Sequence, residues 1–372
     1  MKIDLPGSVT PYVMGEPRTY PPPPRPSTSR VAYAAAHVVP GGDSLDWEST
    51  LAFRRHLWSY GLGVAEAMDT AQRGMGLDWP ATRELIARSA REARAEGGRI
   101  VCGAGTDQLP PGPASLDAIA AAYEEQLAVV EAAGAVPVVM ASRHLAAAAR
   151  GPDDYASVYG RLLSQVGRPA VLHWLGPMFD PALEGYWGSP DLDAAAEALL
   201  SLIGDHASRV DGVKISLLDA SREVAFRRRL PPGVRLYTGD DFHYPELIRG
   251  DAEGYSDALL GVFDPIAPAA AAALQALDGG DTAAYEEILA PTVPLARHLF
   301  EAPTYHYKTG VVFLAWLAGH QRAFRMVGGL ETARSVPHMV RLFRLADAAG
   351  LFPDPALAAH RMRAWLTVRG AA

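Results

Sequence analysis

Between about residues 31 and 268 the chain passes eight times through a short run of β-type residues followed by a longer stretch rich in Ala, Leu, Glu and Arg. This alternation constrains the fold more than any other feature, because parallel strands need crossover helices between them. The eight runs are RVAYAAAHVV from Arg30, GVAEAMD from Gly63, RIVCGAG from Arg99, AVPVVMA from Ala135, PAVLHWL from Pro169, DGVKISL from Asp211, VRLYTGD from Val234 and GYSDALLGVF from Gly254. The segments between them carry helix signals: in SLDAIAAAYEEQLAVVEAAG, Ser115 suits an N-cap and Gly134 a stop. Eight such units match the usual size of a closed barrel, so the expected class is α/β, a (β/α)₈ TIM barrel. An open doubly wound sheet is the competing architecture, but no GxGxxG-type turn follows the first strand.

The flanks read differently. Residues 1–30 are rich in proline and include the run Pro21 to Pro24, which favours extended polyproline II, so an arm is expected there. That arm either packs over the barrel or a neighbouring subunit, or forms a partly ordered tail. Residues 269–372 read as helices only, a C-terminal helical extension following a barrel over 31–268.

Charge and cysteine content exclude several classes. A formal net charge of −8 and a pI of 5.8 argue against a nucleic-acid partner, which needs clustered Lys and Arg. The basic run Arg227, Arg228 and Arg229 reads as a solvated helix end. The single cysteine, Cys102, can form no intramolecular disulfide and sits in the apolar run IVCGAG as a buried structural thiol. The N-terminus lacks the apolar core of a secretion signal, and the apolar stretch Val311 to Gly319 is too short to span a bilayer. A cytoplasmic location with no membrane partner is the expectation.

One strand carries a basic residue where chemistry would use it. Side chains alternate along a strand, so in DGVKISL Val213, Ile215 and Leu217 share one face while Lys214 and Ser216 share the other. The apolar three need the helix layer outside, which sends Lys214 into the barrel, toward the end where barrel enzymes assemble active sites. Desolvation there would raise the neutral amine fraction able to attack a carbonyl. The structural alternative is a lysine locked to an inner-barrel carboxylate.

The run DGVKISLLDAS resembles the Schiff-base strand of the dihydrodipicolinate synthase and N-acetylneuraminate lyase family, in which a lysine ends the sixth strand. Downstream, LYTGDDFHYPELIRGDAEGYSDALLGVFDPIAP resembles that family's Gly-Asp-Asp turn and glycine-rich eighth strand, and IVCGAGTDQ is similar to its third strand. PTYHYKTGVVFLAWLAG, with Lys308, resembles its helix beginning near a proline and a lysine. The resemblance covers about residues 31 to 330. It implies a class I lyase or aldolase that needs no cofactor or metal: an amine condenses with a 2-oxo acid or keto sugar, and the enamine attacks, or is released from, a second carbonyl. It also implies a homo-oligomer, a dimer or tetramer.

Departures from the family pattern bear on substrate. The family's strand-five tyrosine, a proton relay, is matched by His173, itself a competent acid-base group near neutral pH, or else merely a core histidine. The threonine pair after strand two appears in MDTAQRG as Asp69 and Thr70, and a carboxylate at the first place would repel that of a pyruvate-like substrate. No arginine stands in the strand-five loop MFDPALEGYWGS to hold a second carboxylate. A neutral or polyhydroxylated carbonyl substrate is therefore expected over a diacid. The expected catalytic residues are Lys214, His173 and Thr70, with Asp69, Asp107, Ser216, Asp240, Asp241 and His243 binding substrate. Asp240 and Asp241 follow a turn glycine, where an acid can also cap the next helix. Two other readings stay open: a metal-dependent barrel isomerase or hydrolase with His173, Asp240 and Glu66 as ligands, and a non-catalytic sensor of sugars or keto acids.

Overall fold

The computed structural model describes residues 1–7, 9–42 and 44–371. Eight parallel strands close into a barrel: β1 (Ala32–Ala35), β2 (Gly63–Glu66), β3 (Ile100–Ala104), β4 (Val136–Val139), β5 (Ala170–Leu175), β6 (Val210–Ser216), β7 (Arg235–Thr238) and β8 (Asp257–Leu260). Each pairs with its sequence neighbour, and β8 closes on β1 through Ala258 opposite Ala32. All eight expected runs become strands of this barrel, in the order expected. The crossover helices start where short polar residues can take up free backbone N–H groups. Asp46, Asp78, Ser115 and Asp219 each cap a helix by accepting a hydrogen bond from a first-turn amide, worth about 1 kcal/mol apiece.

The barrel interior is filled by side chains in layers. Its floor packs Tyr33 beside Tyr237, with ring centroids 6.0 Å apart, together with Val101, Val138, Val171 and Leu259. Two such large rings fit because their strand neighbours withdraw: a Cβ on Gly63 would lie 2.3 Å from the Tyr33 ring. Outside the strands a far larger apolar cluster joins the barrel helices to the C-terminal region without interruption. At the end of β2, Glu66 is wholly buried and accepts two 2.8 Å hydrogen bonds from Arg54, which lies on the helix Trp47–Ser59. Glu66 also accepts the Ala67 amide, so the acid is fully engaged.

Helices from Ala267 onward make up the C-terminal region. Its centre is the helix Tyr307–Leu317, buried at every residue, as an all-round apolar helix must be. The N-terminal arm is ordered across this region and the adjoining barrel. Lys2–Ile3 pairs antiparallel with Tyr12–Val13, the Tyr12 hydroxyl donates to Asp347, and Ser27 and the backbone of Thr28 and Ser29 donate to Asp278. Of the two expectations for the arm, packing over the body is the one observed. Cys102 is buried, and its thiol is pushed well up by that burial. The basic run does end a helix, Ala220–Arg227, but with partners: Arg227 and Arg228 pair with Asp251, and Arg229 with Glu197. Among the described residues no helix is long and apolar enough to cross a membrane.

Candidate active site at the mouth of the barrel

The carboxyl ends of the strands converge on a small inner cavity lined by Lys214 and Ser216 of β6, Asp69 and Thr70 after β2, Asp241 after β7, and Tyr307 from the C-terminal helix. Strand alternation explains most of this set. Lys214 and Ser216 occupy inward positions of β6, while Val213 and Ile215 pack in the outer apolar cluster. At the end of β7 the chain comes close: a Cβ on Gly239 would lie 2.1 Å from Ser216 Oγ and 2.8 Å from Lys214 Cε, so only glycine lets the turn pass beside the lysine stem.

Lys214 is 7% exposed, and among the described residues no carboxylate forms an ion pair or hydrogen bond with its amine. Burial lowers its pKa from the ordinary 10.5, against the opposing charges of Asp69 and Asp241. The same burial raises the Asp241 carboxyl, which accepts the Val262 amide at 2.8 Å. Both shifts have one cause: burial disfavours the charged forms, lowering the amine and raising the acid to about 7.

Tyr307 is the residue that sequence reasoning missed. Its hydroxyl lies 2.8 Å from Thr70 Oγ1, and either can donate to the other. The ring is held by stacking on Phe300, with centroids 4.3 Å apart and planes within 17°, and by the edge of Phe179 at 6.2 Å. Burial keeps the phenol protonated well above its usual range. A sequence signal existed in the polar run PTYHYK, which leads into the first turn of an otherwise apolar helix. Lys308, next along, is also buried, and its pKa falls to about 8 through burial.

His173 stands beside Lys214 in the β5–β6 register, as an inward residue should. It is fully buried and does not line the cavity. Its Nε2 lies 3.2 Å from Ser216 Oγ, its Nδ1 has no partner, and burial with the nearby Lys214 charge holds its pKa well below the usual histidine range. Asp107 lies further out, in an adjoining mouth of about 690 Å³ shared with Asp69, Arg143, His144 and Asp180. Burial would raise the Asp107 carboxyl, but the Arg73 guanidinium beside it wins and holds it low.

Asp240 and His243 are not brought to the cavity. Asp240 accepts the amides of Phe242 and His243 and lies 2.9 Å from His243 Nδ1. The reason is alternation: Tyr237, Gly239 and Asp241 face inward, so Asp240 faces outward and caps the following turn. The proposed metal set of His173, Asp240 and Glu66 is likewise not assembled, since each is bonded elsewhere, Glu66 to Arg54, Asp240 to His243 and His173 to Ser216.

Solved structures with this architecture include a dihydrodipicolinate synthase from Aquifex aeolicus, with TM-score 0.67, 13% identity, and 87% of this chain and 99% of that chain covered. YagE, a prophage protein of the dihydrodipicolinic acid synthase family from E. coli K12 in complex with pyruvate, gives TM-score 0.69 and 14% identity over 87% and 99%. The enzyme from Cyanidioschyzon merolae with lysine bound gives 0.66 and 16% over the same shares. At such identities the likeness speaks for the fold. No curated protein is similar in sequence. The family model described as "Protein of unknown function (DUF993)" matches residues 3–371.

Proposed function

We propose that this chain, which belongs to the family described as "Protein of unknown function (DUF993)", is a class I lyase or aldolase, a divergent relative of the dihydrodipicolinate synthase and N-acetylneuraminate lyase enzymes. In this reading Lys214 forms a Schiff base with a 2-oxo acid or keto sugar. The observation that carries it is a buried, unpaired amine inside the mouth of a closed barrel, in one cavity with the Thr70–Tyr307 hydroxyl pair.

The neutral Lys214 amine attacks the carbonyl carbon, and the proton it sheds passes to the carbonyl oxygen to give a carbinolamine. The Tyr307 phenol and the Thr70 hydroxyl suit this transfer, because a hydroxyl pair can take a proton at one end while releasing one at the other. Asp241, raised by burial to about 7, suits protonation of the carbinolamine hydroxyl, which leaves as water to give the iminium. Loss of a proton from the carbon next to the iminium gives the enamine, which adds to a second carbonyl; the reverse steps cleave the bond. Asp69 faces the same space, and its charge favours a neutral or polyhydroxylated substrate over a diacid. His173, neutral and buried, supports Ser216 in this scheme and takes the relay only if Tyr307 proves dispensable.

The same reading treats residues 1–30 as an arm, 31–268 as the catalytic barrel and 269–372 as a helical region that completes the site, in a cytoplasmic homo-oligomer. The test is borohydride reduction of the full chain with a panel of 2-oxo acids and keto sugars, followed by peptide mass mapping. The expected result is a reduced adduct on Lys214, absent in Lys214→Ala. Adducts only elsewhere, or turnover of a carbonyl substrate undiminished in Lys214→Ala, refute the assignment.

A further inference from the structure

Away from the barrel cavity, a second set of chemistry-bearing side chains meets in the C-terminal region. His298 ends the helix Thr292–Leu299, Glu301 follows it, and His338 lies in the first turn of the helix Val336–Ala348. The two imidazoles are 4% and 8% exposed and stack with centroids 4.1 Å apart. His298 Nδ1 lies 3.1 Å from one carboxylate oxygen of Glu301, and His338 Nδ1 lies 2.9 Å from the other.

The tautomers decide what these contacts mean. His298 Nε2 lies 2.9 Å from the His338 carbonyl oxygen, which can only accept, so the proton of a neutral His298 sits on Nε2. Its Nδ1 then turns a lone pair toward a carboxylate oxygen, two acceptors face to face. A positive charge must lie between them, either a proton on Nδ1 or a metal ion. The distances accommodate either, since N–H···O hydrogen bonds span about 2.7–3.2 Å. Two ligands held about 2.0–2.1 Å from a zinc-like centre, at roughly 90–109°, lie about 2.9–3.4 Å apart; both N···O separations fall in that interval, and the three ligand atoms all lie within 4.8 Å of one another. The Nε2–H donation to a backbone carbonyl is also the outer-shell bond that orients metal-binding histidines.

We propose that His298, Glu301 and His338 form a binding site for a first-row divalent cation of the zinc class. Two imidazoles and one carboxylate suit zinc, cobalt or nickel better than calcium or magnesium, which prefer all-oxygen shells. Among the described residues this is the one group of three His, Cys, Asp or Glu side chains close enough to share an ion. Three protein ligands leave at least one position for water or an exogenous anion, and the cluster opens on a groove of about 400 Å³ rimmed by Arg297 and Arg341. Both arginines are exposed, where solvent screens their repulsion of a cation. Arg334, closer in, directs its guanidinium at the carbonyls of Glu301, Ala302 and Pro303. An ion here would tie two helices to the segment that runs on to Tyr307, so it would act as a structural brace, independent of the Lys214 chemistry.

The test uses the full chain after chelator treatment, titrated with Zn²⁺ by calorimetry and with Co²⁺ by visible absorption. The expected result is one ion per chain, a rise in melting temperature on loading, and d–d bands of a nitrogen- and oxygen-ligated cobalt. His298→Ala with His338→Ala should abolish uptake, and Glu301→Gln should weaken it at least tenfold. No uptake by the unmodified chain at about 100 μM metal, a concentration far above that needed by sites of this kind, would overturn the proposal and leave a proton on His298 as the charge. Unchanged affinity in Glu301→Gln and in the double variant would overturn it equally. Because the unmodified chain alone can refute the idea, a variant that fails to fold does not shield it.

Discussion

A lysine amine inside a protein normally finds a carboxylate, since an unpaired buried charge costs several kcal/mol. Lys214 has none, and two acids within electrostatic reach remain unbonded to it. Strand alternation made its inward direction legible in the sequence, but spacing could not tell a free amine from a paired one. The relay was less legible. A histidine at the strand-five position reads as an acid-base group, yet position on a strand does not fix access, and His173, though level with Lys214 in the register, is fully buried against Ser216 and does not line the cavity. The hydroxyl that faces Lys214 comes instead from Tyr307, some ninety residues later. Tyr307→Phe preserves the ring stack and should slow substrate α-proton exchange about 10²- to 10⁴-fold, followed by NMR in deuterated buffer. Retained exchange in Tyr307→Phe, with loss in His173→Asn, would return the relay to His173. Trapping rates should also rise with pH to a midpoint below the 10.5 of an ordinary lysine, because burial lowers the folded-state value.

Individual elements carry their own electrostatic costs. Glu223, on the helix Ala220–Arg227, is fully buried against β7 and the segment leading into β8, accepting hydrogen bonds from Thr238 at 3.0 Å and Ser256 at 2.7 Å. Burial raises its pKa from 4.5 to about 8. A folded-state value above the unfolded one means the folded chain binds the proton more tightly. That contribution is complete below pH 4.5 and is lost as pH rises toward 8. The unfolding free energy from denaturant titration should therefore fall across that window, by up to about 1.4 kcal/mol per pH unit, and Glu223→Gln should flatten the fall. An equally steep decline in the variant would assign the effect to other groups. The strands show the opposite case, where pattern was enough: every β-type run bounded by Gly, Pro or capping residues became a barrel strand. Helix starts were readable too, as with Ser115, because capping is a local interaction between neighbours in sequence.

At the scale of the whole molecule, the barrel and the helical region share one apolar core. The helix Tyr307–Leu317 is buried on every side and supplies a wall of the cavity. A chain ending at residue 268 would expose the barrel surface that these helices cover and lose Tyr307. Such a chain should lack a cooperative thermal transition by circular dichroism and give no Lys214 adduct. A sharp transition with normal trapping would mean that the barrel is complete alone. The outer mouth, with Arg143, His144 and Asp180 around about 690 Å³, adjoins the Lys214 cavity at Asp69, and under the proposed function it would take the second reactant.

What the sequence determined alone was whatever depends on local order: the eight strand–helix repeats, the barrel they close into, the capping residues and the inward face of Lys214. These follow from short-range rules, two-residue alternation in strands and the hydrogen-bonding needs of helix ends. Tertiary structure decided which distant groups meet: Tyr307 with Thr70, Glu66 with Arg54, and His298 with Glu301 and His338. Such pairs join elements that touch only after the chain has folded, and the direction of a side chain is set by packing that no single segment contains.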